Sequence, residues 1–415
     1  MKSKMLALGL AVSTVALPAW AAEGPKPQGV PDIDHVFLIM MENHGFKQVM
    51  NNPNDPFVNQ YAKTANLGTN YFAVAHPSLT NYLEVVGGSN FGVQTDNAPD
   101  WHNASCTTNL ASGTTATDSP PSPNICPIAG TGTDAATPAL DFTNETTGAP
   151  GEINIDGVQS IAAATNTAGK TIADQLVARG KSWKSYQESL PLTGADGINT
   201  SDSFFTNLTN FSAILPALTP ALTQADIVSL YAAKHNPFVY FKNVQEGRNP
   251  NNSLANTVAF DGTGGLYADL QAGKSPSFSF IVPNQCNDQH GRGNAGPFCA
   301  FDPNDDGSQS GLNPALMYQG DVTVQKLVSA IHASKAWREE TSAIVVVWDE
   351  NDYSLAPNIN QVVVIVDTNY GRHHVSSDKR YNHFSLLKSL EAAFDLPCLN
   401  HACDRDVAVM SDLFR

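Results

Sequence analysis

Basic residues are scarce in this chain. Lysine and arginine number 23 against 39 aspartates and glutamates, a formal charge of −16, and charged residues of either sign make up only 15% of the 415 positions. Nucleic acid and anionic bilayers are first engaged by neutralising phosphates, so this balance argues against both as partners. Beyond the first twenty or so positions no apolar run is long enough to span a bilayer, which argues against stable membrane insertion. Internal repeats are lacking, and so is any Cys-x-x-Cys pair that would mark a zinc site. What remains is 42% apolar residues, enough for a large folded core built as a single α/β unit.

The N-terminus reads as a leader. Lys2 and Lys4 precede "MLALGLAVSTVAL", and Ala19-Trp20-Ala21 supplies an Ala-x-Ala end. A basic start, a short apolar stretch and a small-residue site describe a secretory signal peptide over residues 1–21, with the mature chain from 22 secreted or periplasmic. Without Lys2 and Lys4 the count is 21 basic against 39 acidic residues, or −18. The six cysteines, Cys106, Cys126, Cys286, Cys299, Cys398 and Cys403, fit an oxidising compartment. Sequential pairing is the simplest of the possible connectivities.

Apolar, β-branched runs mark strands at "HVFLIMM", "SWKSYQ", "PFVYFKN", "FSFIVP", "AIVVVWD" and "QVVVIVD". Helical periodicity marks "TIADQLVARG", with Thr171 as cap and a stop at Gly180, and also "GDVTVQKLVSAIHAS", with Asp321 as N-cap, and "FSLLKSLEAAFDL". Near-continuous apolar strands alternating with amphipathic helices predict a doubly wound, mostly parallel central sheet flanked by helices, in one domain over 22–415. Residues 94–170, rich in Thr, Ser, Gly, Asn and Pro, read as a long inserted loop.

In such a sheet the C-terminal ends of the strands share one edge, where ligands bind. Three predicted strands end in polar, metal-capable residues: "VFLIMM" in Glu42-Asn43-His44, "FSFIVP" in a stretch with Asp288 and His290, and "AIVVVW" in Asp349-Glu350. Acidic groups gathered at one edge repel one another unless a cation joins them. In "AHPSLTNYLEVVGG" Pro77 opens a helix, placing Ser78 at its N-terminus, where the dipole favours an anion, and Asn81 three residues on. A hydroxyl there, beside a cation, can serve as a nucleophile. His383 begins the helix in "NHFSLLKSL".

Taken together, "MMENHGF", "HPSLTNYL", "TIADQLVARGKSWKSYQE", "KHNPFVYF", "VPNQCNDQH", "VVVWDEND" and "NHFSLLKSLEAAFDLP" resemble, in order and over most of the mature chain, the secreted acid phosphatase and phospholipase C phosphoesterases of the alkaline phosphatase superfamily. The resemblance implies an alkaline phosphatase-like sandwich and metal-dependent phosphoryl transfer through a phosphoserine or phosphothreonine. It casts Ser78 as nucleophile and Asn81 as the amide steadying phosphoryl oxygens. Glu42 and Asn43 become the first metal ligands, Asp349 and Glu350 the second pair, and Asp288, His290 and His383 the remaining polar wall. Departures from the family pattern fall at Gly45, Lys47, Thr80 and Asn382, outside the expected ligands.

Glu42, Asn43, Ser78, Asp349 and Glu350 offer only oxygen donors, which suits Mg, Ca or Mn. Asp288, His290 and His383 would complete a second site favouring Zn, or else hold the leaving group; a single ion per site is the preferred reading. Expected substrates are small phosphate esters or phospholipid head groups. A phosphomonoesterase leads, followed by a phospholipase C-like diesterase and by an exported binding protein without catalysis. Lesser features are a calcium-loop-like "DPNDDG" from Asp302, read as a polar turn, His76 beside Ser78, and the pair His373-His374, at the pocket mouth or merely exposed.

Overall fold

The computed structural model describes residues 23–91, 169–190, 230–291, 299, 314–351 and 359–415, with two-residue strands at 107–108, 125–126, 140–141 and 161–162. The leader, Cys106, the acidic turn from Asp302 and most of the 94–170 insertion lie outside these residues.

The strands in chain order are β1 (His35–Met41), β2 (Asn66–Gly68), β3 (Tyr71–Phe72), β4 (Thr107–Thr108), β5 (Ile125–Cys126), β6 (Leu140–Asp141), β7 (Ile161–Ala162), β8 (Trp183–Gln187), β9 (Thr257–Ala259), β10 (Phe278–Val282), β11 (Ser342–Trp348), β12 (Val364–Thr368), β13 (Ser376–Ser377) and β14 (Tyr381–Asn382). Eight of them form the central sheet, in the order β13-β2-β12-β11-β1-β10-β8-β9. Its heart is β1, parallel to β10 on one side and to β11 on the other, with β8 and β9 continuing parallel beyond β10. Only β12 runs antiparallel to its neighbours β11 and β2. The expected mostly parallel sheet is therefore present. Every residue of β10 and β11 is buried, as for strands covered on both faces.

The helices are α1 (Phe46–Val49), α2 (Pro56–Thr64), α3 (Ser78–Gly87), α4 (Ile172–Ala178), α5 (Lys242–Glu246), α6 (Leu266–Ala272), α7 (Pro314–Ala333), α8 (Lys335–Glu339) and α9 (His383–Ala393). They pack in two groups: α2, α6 and α8 against α7, and α4 and α9 against α3. Among the described residues no helix is long and apolar enough to cross a membrane.

Two local expectations are corrected. "PFVYFKN" is not a strand; it forms a 3-10 turn, Pro237–Tyr240, running into α5. Pro237 has no N–H for a sheet ladder. The run is apolar because Phe238 packs on Trp183 and Phe280, with ring centroids 4.5 and 5.6 Å away. Asp321 is no N-cap of its own helix, because α7 begins at Pro314 and Asp321 lies inside it. Its carboxylate instead accepts from the N–H groups of Phe57 (3.1 Å) and Val58 (2.7 Å), capping the first turn of α2 across the interface. Cys286–Cys299 and Cys398–Cys403 are disulfides, as sequential pairing anticipates.

Candidate active site

The parallel trio β10-β1-β11 delivers its three polar endings to one place. Backbone bonds hold these ends together: Glu42 N donates to Asp288 O at 2.9 Å, and Asp349 N to Met41 O at 3.0 Å. Opposite them begins α3. Ser78 is its first residue and is 2% exposed. The Ser78 hydroxyl donates towards Glu42 Oε2 at 3.0 Å and lies 3.2 Å from Glu350 Oε1. Asn81, one turn on, braces the preceding loop: its Oδ1 accepts from Val74 and Ala75 N–H, while its Nδ2 donates to Ala75 O and, at 3.1 Å, to Glu350 Oε2. Its amide thus faces the carboxylates and the loop that carries Ser78.

Burial gives the acids unequal protons. Burial alone would raise Glu42, but the His235 imidazole, through its charge and hydrogen bond, holds that carboxyl well below the usual range, with His290 and Lys234 adding to the effect. Asp288 and Asp349 are pushed well above it, by burial first and then by the negative Glu42. Four carboxylates in a dry pocket cannot all ionise without compensating charge. Both carboxylate oxygens of Asp349 and the amide oxygen of Asn43 are buried without a well-formed hydrogen bond among the described residues. These oxygens fit a hard divalent ion in kind. Among the described residues, however, no three His, Cys, Asp or Glu side chains already stand as preformed metal ligands.

The histidines divide. His290 N–H closes onto Asp288 Oδ1 at 2.8 Å, and its Nδ1 faces Gly291 O. His383 is fully buried between the Tyr71 hydroxyl, 2.9 Å from Nδ1, and the Asp349 carbonyl at Nε2. Both of its ring nitrogens are engaged, and burial lowers it to about 4, so the ring is neutral. His76 Nδ1 lies 2.8 Å from Glu350 Oε2, which settles it inside the pocket. His373 and His374 are elsewhere, on Asp367 and on Lys63 O.

Sequence reasoning missed two groups. His235 bridges Glu42 Oε1 (2.9 Å) and Asp288 Oδ2 (3.5 Å) and stacks on Tyr82 at 5.1 Å and 7°. Lys234 beside it is 5% exposed and adds positive charge to the same acids. The only signal was their place in "KHNPFVYF", one of the stretches that carry the resemblance, of which only the apolar part was read as structure.

A model of the phosphoesterase family matches residues 48–298. A probable acid phosphatase of Kluyveromyces lactis is 23% identical over 89% of this chain, which spans 61% of that protein. A phosphatidylinositol-3-phosphatase of Mycobacterium tuberculosis is 23% identical over 95% of this chain and 88% of its own length. An acid phosphatase of Aspergillus fumigatus is 22% identical, and the chain spans 55% of it. Among solved structures, an alkaline phosphatase superfamily protein of Vibrio parahaemolyticus covers 93% of this chain and 71% of its own, with 12% identity and a TM-score of 0.44.

Proposed function

Because the chain belongs to the phosphoesterase family, we propose that it is an exported, divalent-metal-dependent phosphomonoesterase acting through a phosphoserine at Ser78. The observation that carries this reading is the Ser78 hydroxyl, buried at the head of a ten-residue helix and within 3.2 Å of two carboxylates from different strand ends.

Glu42 accepts the Ser78 hydrogen bond and so orients the hydroxyl, while its own carboxyl, held well below the usual range, stays ionised. The α3 N-terminus favours the incoming phosphate. Glu42, Asn43, Ser78, Asp349 and Glu350 would hold the ion, which when bound supplies the positive charge that lowers the hydroxyl pKa and offsets the phosphoryl charge. His235 and Lys234 offset the Glu42 charge where it faces Asp288. His290, rather than His383, would protonate the departing alcohol, because both ring nitrogens of His383 are taken, Nδ1 by the Tyr71 hydroxyl and Nε2 by the Asp349 carbonyl. The acid phosphatases and the phosphatidylinositol-3-phosphatase among the relatives favour monoesters over diesters as the substrate class. Cys286–Cys299 and Cys398–Cys403 support export.

The test is turnover of p-nitrophenyl phosphate, a phosphoinositide monoester, phosphatidylcholine and a bis-aryl diester, after chelation and with single metals added back. Metal-restored hydrolysis of the monoesters is expected. Diester-only turnover would move the reading to a phosphodiesterase, and no hydrolysis of any ester would refute it.

A further inference from the structure

Between Asp288 and His290, whose side chains belong to the pocket, stands a residue whose side chain goes the other way. Gln289 is fully buried and holds a left-handed backbone, φ +81°, which a side-chain-bearing residue adopts only when its surroundings fix it. Those surroundings come from three separate elements. Gln289 Nε2 donates to Asp55 Oδ1 at the start of α2 (2.6 Å) and to Met317 O in α7 (3.0 Å). Gln289 Oε1 accepts from Trp348 Nε1 at the end of β11 (3.0 Å). Where the side chain passes α7 the helix has Gly320, and a Cβ there would collide with Gln289 Cγ.

We propose that Gln289 is a positioning residue: its amide locks the Asp288–His290 turn to Trp348, and so to Asp349 and Glu350, setting the distance between the two halves of the pocket. The backbone bond from Glu42 N to Asp288 O fixes the same turn to β1, so the clamp completes a three-strand junction. A leucine of similar volume would fill the space equally well. A buried amide satisfied at both ends, by three elements, specifies one arrangement instead. Asp55, which burial pushes up to about 8, meets the amide as an uncharged acid below that pH.

The kinetic arm rests on the phosphomonoesterase reading. The protein is taken as the full mature chain, with wild-type turnover of p-nitrophenyl phosphate measured first. Three variants follow: Gln289→Leu, which removes the amide; Trp348→Phe, which removes its donor; and Gly320→Ala, which intrudes on it from α7 without touching any pocket residue. Each should lower kcat by about tenfold or more, because small misplacements of reacting groups are costly. KM should stay within about threefold, as for a loss confined to the transition state. The pair Gln289→Leu with Trp348→Phe should lose little more than either alone. A kcat within about twofold of wild type in Trp348→Phe and Gly320→Ala, or full additivity in the pair, would overturn the assignment. Should Gln289→Leu fail to fold, the other two single variants carry the test. If the wild type turns over no ester, the functional reading fails and the clamp is judged by hydrogen exchange. The amides of 288–290 and 349–351 should then exchange faster together in Trp348→Phe, and unchanged exchange there would sink it.

Discussion

Glu42 and Asp349 are both buried carboxyls in one pocket, yet their protons are held in opposite ways. Glu42 has the His235 imidazole at 2.9 Å, whereas Asp349 has Glu42 and Glu350 as its charged neighbours. The pocket therefore sets an ionised Glu42 beside Asp288 and Asp349, whose protons burial retains. The strand-end pattern made Glu42, Asp288 and Asp349 legible, since one apolar run ending in an acid is weak evidence but three along one sheet edge are not. It did not reveal His235, because periodicity does not mark an imidazole in a short 3-10 turn as part of a site until folding sets it between two carboxylates. Two outcomes belong to single residues. Ser78→Ala should abolish ester turnover and leave the thermal midpoint nearly unchanged, checked by assay and calorimetry, since a hydroxyl is lost and no cavity of consequence is made. His235→Ala should destabilise the fold by about 3 kcal/mol in urea unfolding, because it leaves the buried Glu42 charge without its partner. A shift well under 1 kcal/mol would mean that water or another cation replaces the ring.

At the level of elements, α3 and the helix α4 that packs on it were readable from their ends. Pro77 and the small polar residues after it announce α3, and Thr171 with Asp174 forms the reciprocal cap of α4, Thr171 N donating to Asp174 Oδ2 at 2.8 Å. Asp321 shows the limit of such reading. An acid before an apolar helical stretch looks like that helix's own cap, and here it caps another helix 263 positions away in the chain. Asp321→Ala should therefore cost about 1–2 kcal/mol, as loss of a cap does. In hydrogen exchange the loosened amides should lie at Phe57 and Val58 in α2, while those around position 321 stay protected. The misread "PFVYFKN" has the same root, because a short apolar run does not say whether its residues alternate across a sheet or turn inward together.

The whole molecule gathers buried carboxyls away from the pocket as well as within it. Burial raises Asp55 to about 8, and it also raises Asp174, Glu188 and Asp321. A carboxyl whose folded pKa exceeds its unfolded value keeps a proton that the unfolded chain releases. Its contribution to stability is greatest below the unfolded value of 3.8 and is lost as pH rises towards about 8 for Asp55. His383, lowered to about 4, acts oppositely: its neutral form is favoured on folding, and stability is lost as pH falls from 6.5 towards that value. With several carboxyls against few imidazoles, urea unfolding should give greater stability at mildly acidic pH than at pH 8, with a slope of up to about 1.4 kcal/mol per pH unit for each group. Asp55→Asn, which mimics the protonated acid, should flatten that slope, and an unaltered profile would show that Asp55 is not its source. By itself the sequence determined the main parallel strands β1, β8, β10 and β11, the polar strand endings, the serine at a helix head and the lack of basic surface. All of these follow from local pattern and composition, which a linear chain carries openly. Tertiary structure alone decided which imidazole serves which carboxylate, which helix Asp321 caps, and how Gln289 reaches Trp348 and Asp55. Those pairings join positions tens to hundreds of residues apart, and their energies exist only once water has been excluded between them.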